Sequence, residues 1–210
     1  MKKLNILITA GPTREFFDPV RFLSNPSTGK MGYALAEAAQ DLGHQVTLIS
    51  GPTLLPAPSV KKFQKVISAR DMYKAVMACA PKADIIIMTA AVSDYRPAKK
   101  FPNKVKKTTQ KMIVEFVPNP DILATLGKKK KKGQILVGFA AETQHFITHA
   151  LDKLKRKNLD FIVVNNVKSQ KTGFETDQNQ VTILSPQGIV KKIPLSSKKS
   201  VAQSILTALF

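Results

Sequence analysis

The chain has little of several residue types on which whole protein classes depend. It contains one cysteine, Cys79, and no tryptophan among 210 residues. A single cysteine excludes an internal disulfide framework, which small secreted domains commonly require. The cysteine and the three histidines also show no zinc-ligand spacing. These absences predict a protein of the reducing cytoplasm.

Long hydrophobic runs are absent too. The longest strongly apolar stretch, residues 85–92, is far shorter than the roughly 20 residues that cross a bilayer. The N-terminus briefly resembles a signal peptide, but its apolar segment ends at Gly11 and Pro12, and the charged Arg14 and Glu15 follow. A first β-strand and no membrane partner are therefore predicted.

Acidic residues are scarce. Fourteen Asp and Glu face 33 Lys and Arg, so the net charge is +19. This excess indicates an anionic partner, which charge alone does not identify: a nucleotide, a phosphorylated substrate, nucleic acid or a membrane surface. The lysine run 128–132 lacks interleaved aromatic residues. It is more typical of a solvated helix C-terminus than of a nucleic-acid site.

Strand and helix signals alternate along the chain. The predicted fold is α/β: one domain over residues 1–210, with a Rossmann-like, doubly wound, mainly parallel sheet and helices on both faces. A C-terminal β-hairpin and helix are expected to follow. Ser27 or Thr28 is expected to cap the first helix and Gly43 to end it, while Ser68 and Asp71 form a capping-box pattern. Strands are predicted at 4–9, 46–49, 85–92, 112–117, 135–140, 161–164, 180–184 and 189–193, and helices at 30–42, 68–80, from Asn119–Pro120 onward, between 140 and 161, and at 197–210.

Two common nucleotide motifs fail. Gly29 and Lys30 resemble the end of a Walker loop, but Met31 replaces the required Ser or Thr. The turn after the first strand lacks the glycine pattern of a dinucleotide site. A standard P-loop enzyme and a standard NAD-dependent dehydrogenase are therefore disfavoured.

Two long loops carry the candidate chemistry. About twenty residues separate the first strand from the first helix, and they deliver Arg21, Asn25 and Lys30 to a helix N-terminus, where backbone amides can bind anions. A phosphate contact by Lys30 is left open. Residues 93–110 follow a central strand and are rich in lysine, so they are interpreted as a mobile basic flap at the ligand-binding edge of the sheet.

Several ordered blocks give the chain a family resemblance. They are the long first loop, AAVSDYRP at 90–97, the flap lysines, NPDI at 119–122, GFAAET at 138–143 and KNLD at 157–160. Together they resemble the phosphopantothenoylcysteine synthetase family, the ligase half of the bifunctional bacterial coenzyme A enzyme. The resemblance covers nearly the whole chain.

This resemblance implies a two-step ligation. Phosphopantothenate and CTP would form an acyl-cytidylate and pyrophosphate, and the amine of L-cysteine would then displace CMP. It also implies Mg²⁺, CTP in preference to ATP, a homodimer and a cytoplasmic location. The expected protein is a standalone ligase without flavin, and no nucleic acid is expected as a partner.

The resemblance also implies residue roles. Asn25, Arg21 and Lys104 match catalytic positions, while Asn25, Ala90 and Ala91 match substrate-binding positions. No metal ligand is assigned. The matched nucleotide-binding positions are Met88, Thr89, Ala90, Asp94, Lys104, Asn119, Pro120, Asp121, Ile122, Phe139, Lys153 and Lys157.

Each assignment has a structural alternative. Asn25 is also typical of a turn before Pro26, Lys104 of a surface lysine and Phe139 of core packing. Lys153 and Lys157 lie one helical turn apart, so they share either a ligand or a solvated face. For the whole chain, the alternatives are an inactive nucleotide-binding module and a nucleic-acid-binding protein.

Overall fold

The computed structural model describes residues 2–109, 111–142, 146–166 and 176–210. The strands are β1 Asn5–Ala10, β2 Arg14–Phe16, β3 Phe22–Ser24, β4 Gln45–Ser50, β5 Lys62–Lys65, β6 Ile85–Met88, β7 Tyr95–Pro97, β8 Phe116–Pro118, β9 Ile135–Glu142, β10 Phe161–Asn166, β11 Gln178–Ser185 and β12 Gly188–Ser197. The helices are α1 Lys30–Asp41, α2 Ala69–Cys79, α3 Ile122–Lys129, α4 Phe146–Arg156 and α5 Lys198–Leu209.

The main sheet has eight strands in the order β12-β11-β10-β9-β6-β1-β4-β5. The six strands from β10 to β5 are parallel, and β11 and β12 are antiparallel. All four residues of β6 are buried, because helices cover both faces of a central parallel strand. The strand order reverses between β1 and β6, which makes their carboxyl ends the topological switch point.

Helices cover the two faces of the sheet separately. One core cluster joins α1 and α5 to the sheet through residues such as Leu35 and Ile205. The other joins α2, α3 and α4 through residues such as Met72, Leu126 and Leu154. The predicted doubly wound architecture, with its C-terminal hairpin and helix, is confirmed.

Two of the predicted helix ends are confirmed. Ser68 and Asp71 form the capping box of α2. Gly43 follows α1 with a φ of 85°, a left-handed conformation that favours glycine.

Two other predicted helix starts are wrong. The N-cap of α1 is Gly29, also left-handed, and no side chain caps this end. The helix after Asn119 and Pro120 is capped by Asp121, whose side chain accepts a hydrogen bond from the amide of Ala124.

Three strand predictions need correction. The strand predicted at 85–92 ends at Met88. Beyond it, the backbone of Ala91 is hydrogen-bonded to Gly11 and Thr13 in the loop after β1, so it no longer pairs with a strand of the main sheet. In the region predicted as strand 112–117, only β8 forms, and it pairs with β7 in a separate hairpin. β5 follows the connection that contains Pro52, Pro56 and Pro58, and the sequence analysis missed this strand. Gln110 at the end of the predicted flap, Thr143 of the GFAAET block and His145 lie outside the described residues.

Across the described ranges, no helix combines the length and the apolar character needed to span a membrane.

Candidate active site

The switch point is built by two segments bonded side by side. The hydroxyl of Thr89 donates to the carbonyl of Thr9, and the amide of Ala90 donates to Oγ1 of Thr9 at 3.2 Å. Further on, the amide of Ala91 donates to the carbonyl of Gly11 at 3.0 Å. Because Thr9 is fully buried, this segment is anchored where β1 and β6 end.

Two adjoining clefts open at this edge. Their volumes are about 340 Å³ and about 410 Å³. They have a common wall, so ligands bound in the two clefts would lie next to each other there. The shared lining residues are Ala90, Val92, Asp94, Phe139 and Lys153.

The first cleft, of about 340 Å³, lies between the first loop and the end of β6. Asn25 lines it, and its Nδ2 donates to the carbonyl of Ala91 at 3.1 Å. Gly32 allows α1 to approach closely: a Cβ there would lie 2.5 Å from Cβ of Ala10 and 2.6 Å from Oγ1 of Thr89. Asn25, Ala90 and Ala91, the predicted substrate-binding residues, are therefore brought together here, together with Thr89.

The second cleft, of about 410 Å³, lies between the end of β6 and the start of α3. Nζ of Lys157 lies 2.7 Å from Oδ2 of Asp121. Burial acts to raise the pKa of Asp121, but the hydrogen bonds from Lys157 and Ala124 outweigh it and hold the pKa below 3.8. Of the predicted nucleotide-binding set, this cleft is lined by Met88, Ala90, Asp94, Asn119, Pro120, Asp121, Ile122, Phe139, Lys153 and Lys157.

Asn119 and Lys153 strengthen this wall. The side-chain Nδ2 of Asn119 donates to the carbonyl of Ser93 at 2.9 Å, and the backbone amide of Asn119 donates to the carbonyl of Asp94 at 2.7 Å. Nζ of Lys153 donates to the carbonyl of Phe139 at 3.2 Å. Its ammonium is therefore held at the junction of the two clefts, where anionic groups of two ligands would meet.

Lys104 and Arg21 line neither cleft. Lys104 is exposed. Nη2 of Arg21 donates to the carbonyl of Val105 at 3.0 Å, and Nη1 lies 3.5 Å from the carboxylate of Asp18. The structure thus connects the first loop to the basic segment but places neither predicted catalytic cation beside the other site residues.

Asp18 holds this connection. Its carboxylate accepts hydrogen bonds from the amides of Val20, Arg21 and Val105 at 2.8, 2.8 and 3.3 Å. Burial acts to raise the pKa of Asp18, but the three amides and the charge of Arg21 bring it below 3.8. The sequence analysis missed this residue.

The sequence analysis also missed a polar cluster at the far end of the first cleft, in which it had named only Lys30. The cluster consists of Lys30, Asn165, Asn179 and Lys198. Nζ of Lys30 lies 2.5 Å from Oδ1 of Asp177. Lys198 is 6% exposed and donates to the carbonyl of Thr176. Burial lowers the pKa of Lys198, the charge of Lys30 lowers it further, and Asp177 partly opposes both. Asn165 lies near the carboxyl end of the parallel strand β10, and this position was the one available sequence signal.

Within the described ranges, no group of three or more His, Cys, Asp or Glu side chains is arranged to hold a metal ion. The donor set therefore does not fit a cation held by protein ligands alone. Mg²⁺ characteristically keeps water and substrate phosphates as ligands alongside one or two carboxylates.

Comparison with known proteins identifies the family. The family model for the DNA/pantothenate metabolism flavoprotein C-terminal domain matches residues 1–210. The coenzyme A biosynthesis bifunctional protein CoaBC of Bacillus subtilis (strain 168) is 52% identical over 203 residues, covering 96% of this chain and 50% of that protein. The chain thus spans about half the length of the curated relatives that it matches.

Solved structures agree with this result. The crystal structure of the C-terminal domain of CoaBC has a TM-score of 0.82 and 45% identity, covering 100% of this chain and 96% of that one. A Cab2 mutant in complex with phosphopantothenate-cysteine shares the fold, with a TM-score of 0.79 at 19% identity over 97% of this chain and 84% of that one. The expected phosphopantothenoylcysteine synthetase resemblance is confirmed, and the chain belongs to the DNA/pantothenate metabolism flavoprotein C-terminal domain family.

Proposed function

We propose that this chain ligates phosphopantothenate to L-cysteine in coenzyme A biosynthesis, using CTP through an acyl-cytidylate. The observation that carries the proposal is the common wall of the two clefts at the switch point. One cleft receives the nucleotide and the other the acyl substrate, so their reacting groups meet beside Asp94, Phe139 and Lys153. The names of the relatives, which refer to coenzyme A biosynthesis, support the same assignment.

In the first step, a carboxylate oxygen of phosphopantothenate attacks the α-phosphorus of CTP, and pyrophosphate leaves with the electron pair of the broken P–O bond. Both reactants are anionic, so their approach requires positive charge that is fixed in advance. Lys153 supplies such a charge at the junction of the clefts. Lys157, held by Asp121, supplies another in the nucleotide cleft.

In the second step, the amine of L-cysteine attacks the acyl carbonyl, an amide forms, CMP leaves and the amine gives up a proton. Asn25 is proposed to orient the mixed anhydride. Its amide nitrogen is held by the carbonyl of Ala91, so the side chain is fixed toward the first cleft before substrate binds.

Lys104 and Arg21 are proposed to act when the basic flap, residues 93–110, approaches the nucleotide. Arg21 is joined to this segment by its hydrogen bond to the carbonyl of Val105, the residue next to Lys104. Among the described side chains, no group of three or more His, Cys, Asp or Glu residues is arranged to hold Mg²⁺. An ion carried by the triphosphate is the form of Mg²⁺ use that we propose.

A homodimer is proposed through an apolar surface, which we call the hairpin surface. It lies on the β2–β3 and β7–β8 hairpins, which contact each other. A cluster of exposed apolar side chains commonly marks an interface. The exposed members are Val20, Phe22, Leu23, Tyr95, Phe101 and Phe116.

The dimer is tested by sedimentation of a Leu23→Glu variant. Leu54 is fully exposed in the β4–β5 connection, so Leu54→Glu is the matched control. We expect Leu23→Glu to sediment as a monomer and Leu54→Glu as a dimer. A monomeric parent protein, or a Leu23→Glu dimer as tight as the parent, contradicts the proposal.

The catalytic proposal is tested by pyrophosphate release with phosphopantothenate and Mg²⁺, with either CTP or ATP. We expect release with CTP and the appearance of phosphopantothenoylcysteine and CMP when L-cysteine is added. Release with ATP alone would retain the ligase and reject the nucleotide assignment. A folded protein that releases pyrophosphate with neither nucleotide contradicts the ligase activity.

A further inference from the structure

The turn after α4 has the sequence KNLD at 157–160, and the proposed reaction uses only its first residue. Lys157 reaches into the second cleft, whereas Asn158 is exposed and lines neither cleft. Asn158 has a φ of 51°, and in the described ranges it is the one residue other than glycine with a positive φ. This left-handed conformation favours glycine, so the reason for an asparagine must lie in its side chain.

The backbone of this turn forms a Schellman motif at the end of α4. The amide of Leu159 donates to the carbonyl of Leu154 at 3.0 Å, and the amide of Asn158 donates to the carbonyl of Lys155 at 3.1 Å. Leu154 and Leu159 are buried in the same core cluster, as is typical of this helix ending. Lys157 therefore occupies the C-cap position of α4, and Asn158 is the left-handed residue that follows it.

The Asn158 side chain joins α4 to α3. Its Nδ2 donates to the carbonyl of Gly127 at 2.9 Å. Gly127 lies in the last turn of α3, where backbone carbonyls lack a partner within the helix. A glycine at position 158 would adopt the turn more easily but could not make this bond. The asparagine therefore supplies a link between the two helices that the turn alone does not require.

The two helices are also in direct backbone contact at this point. A Cβ on Gly127 would lie 1.9 Å from the carbonyl oxygen of Lys157, so any other residue would push the two helices apart. From this contact the Lys157 side chain runs along α3 to Asp121 at its start, where Nζ lies 2.7 Å from Oδ2. The position of the Lys157 backbone against Gly127 therefore determines whether the ammonium reaches Asp121.

Lys130 holds the same turn from another side. Its Nζ donates to the carbonyl of Asn158 at 3.0 Å and lies 2.9 Å from the carboxylate of Asp160. Oδ2 of Asp160 accepts a hydrogen bond from the amide of Leu136, near the start of β9, at 2.7 Å. The turn thus connects α3, α4 and β9, and all three elements contribute lining residues to the second cleft.

We propose that Asn158 is a positioning residue for nucleotide binding: its bond to Gly127 holds the backbone of Lys157 against α3 and so sets the Lys157 ammonium beside Asp121 in the second cleft. The inference rests on the proposed function, in which this cleft receives CTP, and adds a residue that acts without touching the nucleotide. The Lys157 side chain is only 15% exposed, so it is ordered before CTP arrives and less conformational entropy is lost on binding.

Asn158→Gly tests this role, because glycine keeps the left-handed turn and removes only the side-chain bond. We expect the Kd for CTP in titration calorimetry to rise about threefold to tenfold, the range for one lost hydrogen bond. In steady-state kinetics, KM for CTP should rise while kcat and KM for phosphopantothenate stay near the parental values, because Lys157 does not line the first cleft. An unchanged Kd for CTP overturns the proposal.

A double-mutant cycle shows whether the effect passes through Lys157. Lys157→Met should weaken CTP binding by itself, and Asn158→Gly added to it should weaken binding no further. Additive losses would overturn positioning through Lys157. Ser68→Ala removes a cap from α2, which lines neither cleft, so it is the control for a merely structural defect. It should leave the Kd for CTP unchanged, and a rise equal to that of Asn158→Gly would also overturn the proposal.

Competitive acetylation without nucleotide separates failure of this inference from failure of the proposed function. Lys157 is shielded and Lys155 is exposed, so mass spectrometry can compare the acetylation of the two amines. Asn158→Gly should raise the ratio of Lys157 to Lys155 acetylation about threefold or more, and an unchanged ratio overturns the positioning role. A parent protein that binds neither CTP nor ATP contradicts the proposed function instead, and the acetylation ratio then decides the positioning role by itself.

Discussion

Replacement of Gly32 by alanine sets two physical effects against each other. Alanine is a better helix former than glycine by about 1 kcal/mol, so propensity alone predicts stabilisation of α1. The added Cβ would lie 2.5 Å from Cβ of Ala10 and 2.6 Å from Oγ1 of Thr89. Favourable contacts between such atoms begin at about 3.5 Å, so roughly 1 Å of separation is required.

The surroundings of Gly32 cannot supply that separation cheaply. Ala10 is fully buried in β1, and the hydroxyl of Thr89 is bonded to the carbonyl of Thr9. Overpacking of this kind costs up to about 3 kcal/mol, so a net loss of about 2 kcal/mol remains after the propensity gain. For a chain of this size, that corresponds to a fall in Tm of about 4–8 °C.

Thermal unfolding followed by circular dichroism measures this change. Glu37→Ala, on the exposed side of α1, is the control for propensity and should change Tm little. Because α1 must move away from Thr89, Gly32→Ala should also weaken substrate binding in the first cleft. A Tm for Gly32→Ala above that of the parent protein would refute the close packing between α1 and the switch point.

Lys153→Met should weaken CTP binding about tenfold in titration calorimetry, because it removes a charged hydrogen-bond donor from the junction of the clefts. Lys155 is exposed on the same helix, so Lys155→Met is the control and should leave CTP binding unchanged. Equal effects of the two variants would contradict the assignment of Lys153. Asp18 has a lowered pKa, so it stabilises the fold above pH 3.8, and this stabilisation is lost as pH falls through the lowered pKa. Asp18→Asn should therefore make the free energy of unfolding less dependent on pH below about pH 4. An unchanged pH dependence in this range would count against the hydrogen bonds from the three amides to Asp18. Ser68→Ala removes half of the capping box of α2 and should lower the free energy of unfolding by about 1 kcal/mol. This corresponds to a fall in Tm of about 2–4 °C. A Tm unchanged within error would show that the cap does not stabilise the protein.

The central strands and the edge of the sheet that holds the clefts could be predicted from the sequence. β1 and β6 are apolar runs that are covered on both faces, and the carboxyl-edge rule placed their ends at the ligand site. The family resemblance assigned most of the predicted nucleotide residues to what proves to be one cleft, and Asn25, Ala90 and Ala91 to the other. Their roles remain predictions.

Other features depend on tertiary contacts that leave little local signal. β5 is a short edge strand with the sequence KFQK, which shows no clear alternation of apolar and polar residues. It forms because its backbone pairs in parallel with β4. Residues 112–115 have an apolar pattern, yet the chain pairs only where β7 lies opposite β8.

The polar end of the first cleft shows the same limit. Asn165, Asn179 and Lys198 are separated along the chain and are ordinary residue types. They become a candidate site only when β10, β11 and the start of α5 meet beside α1.

The central claim is that an acyl-cytidylate forms, and an oxygen-18 label in the carboxylate of phosphopantothenate tests it most directly. The oxygen that attacks the α-phosphorus stays with that phosphorus when L-cysteine takes the acyl group. Mass spectrometry should therefore find one labelled oxygen in the CMP that is produced. Unlabelled CMP, or label in inorganic phosphate with CDP as the nucleotide product, would contradict the account.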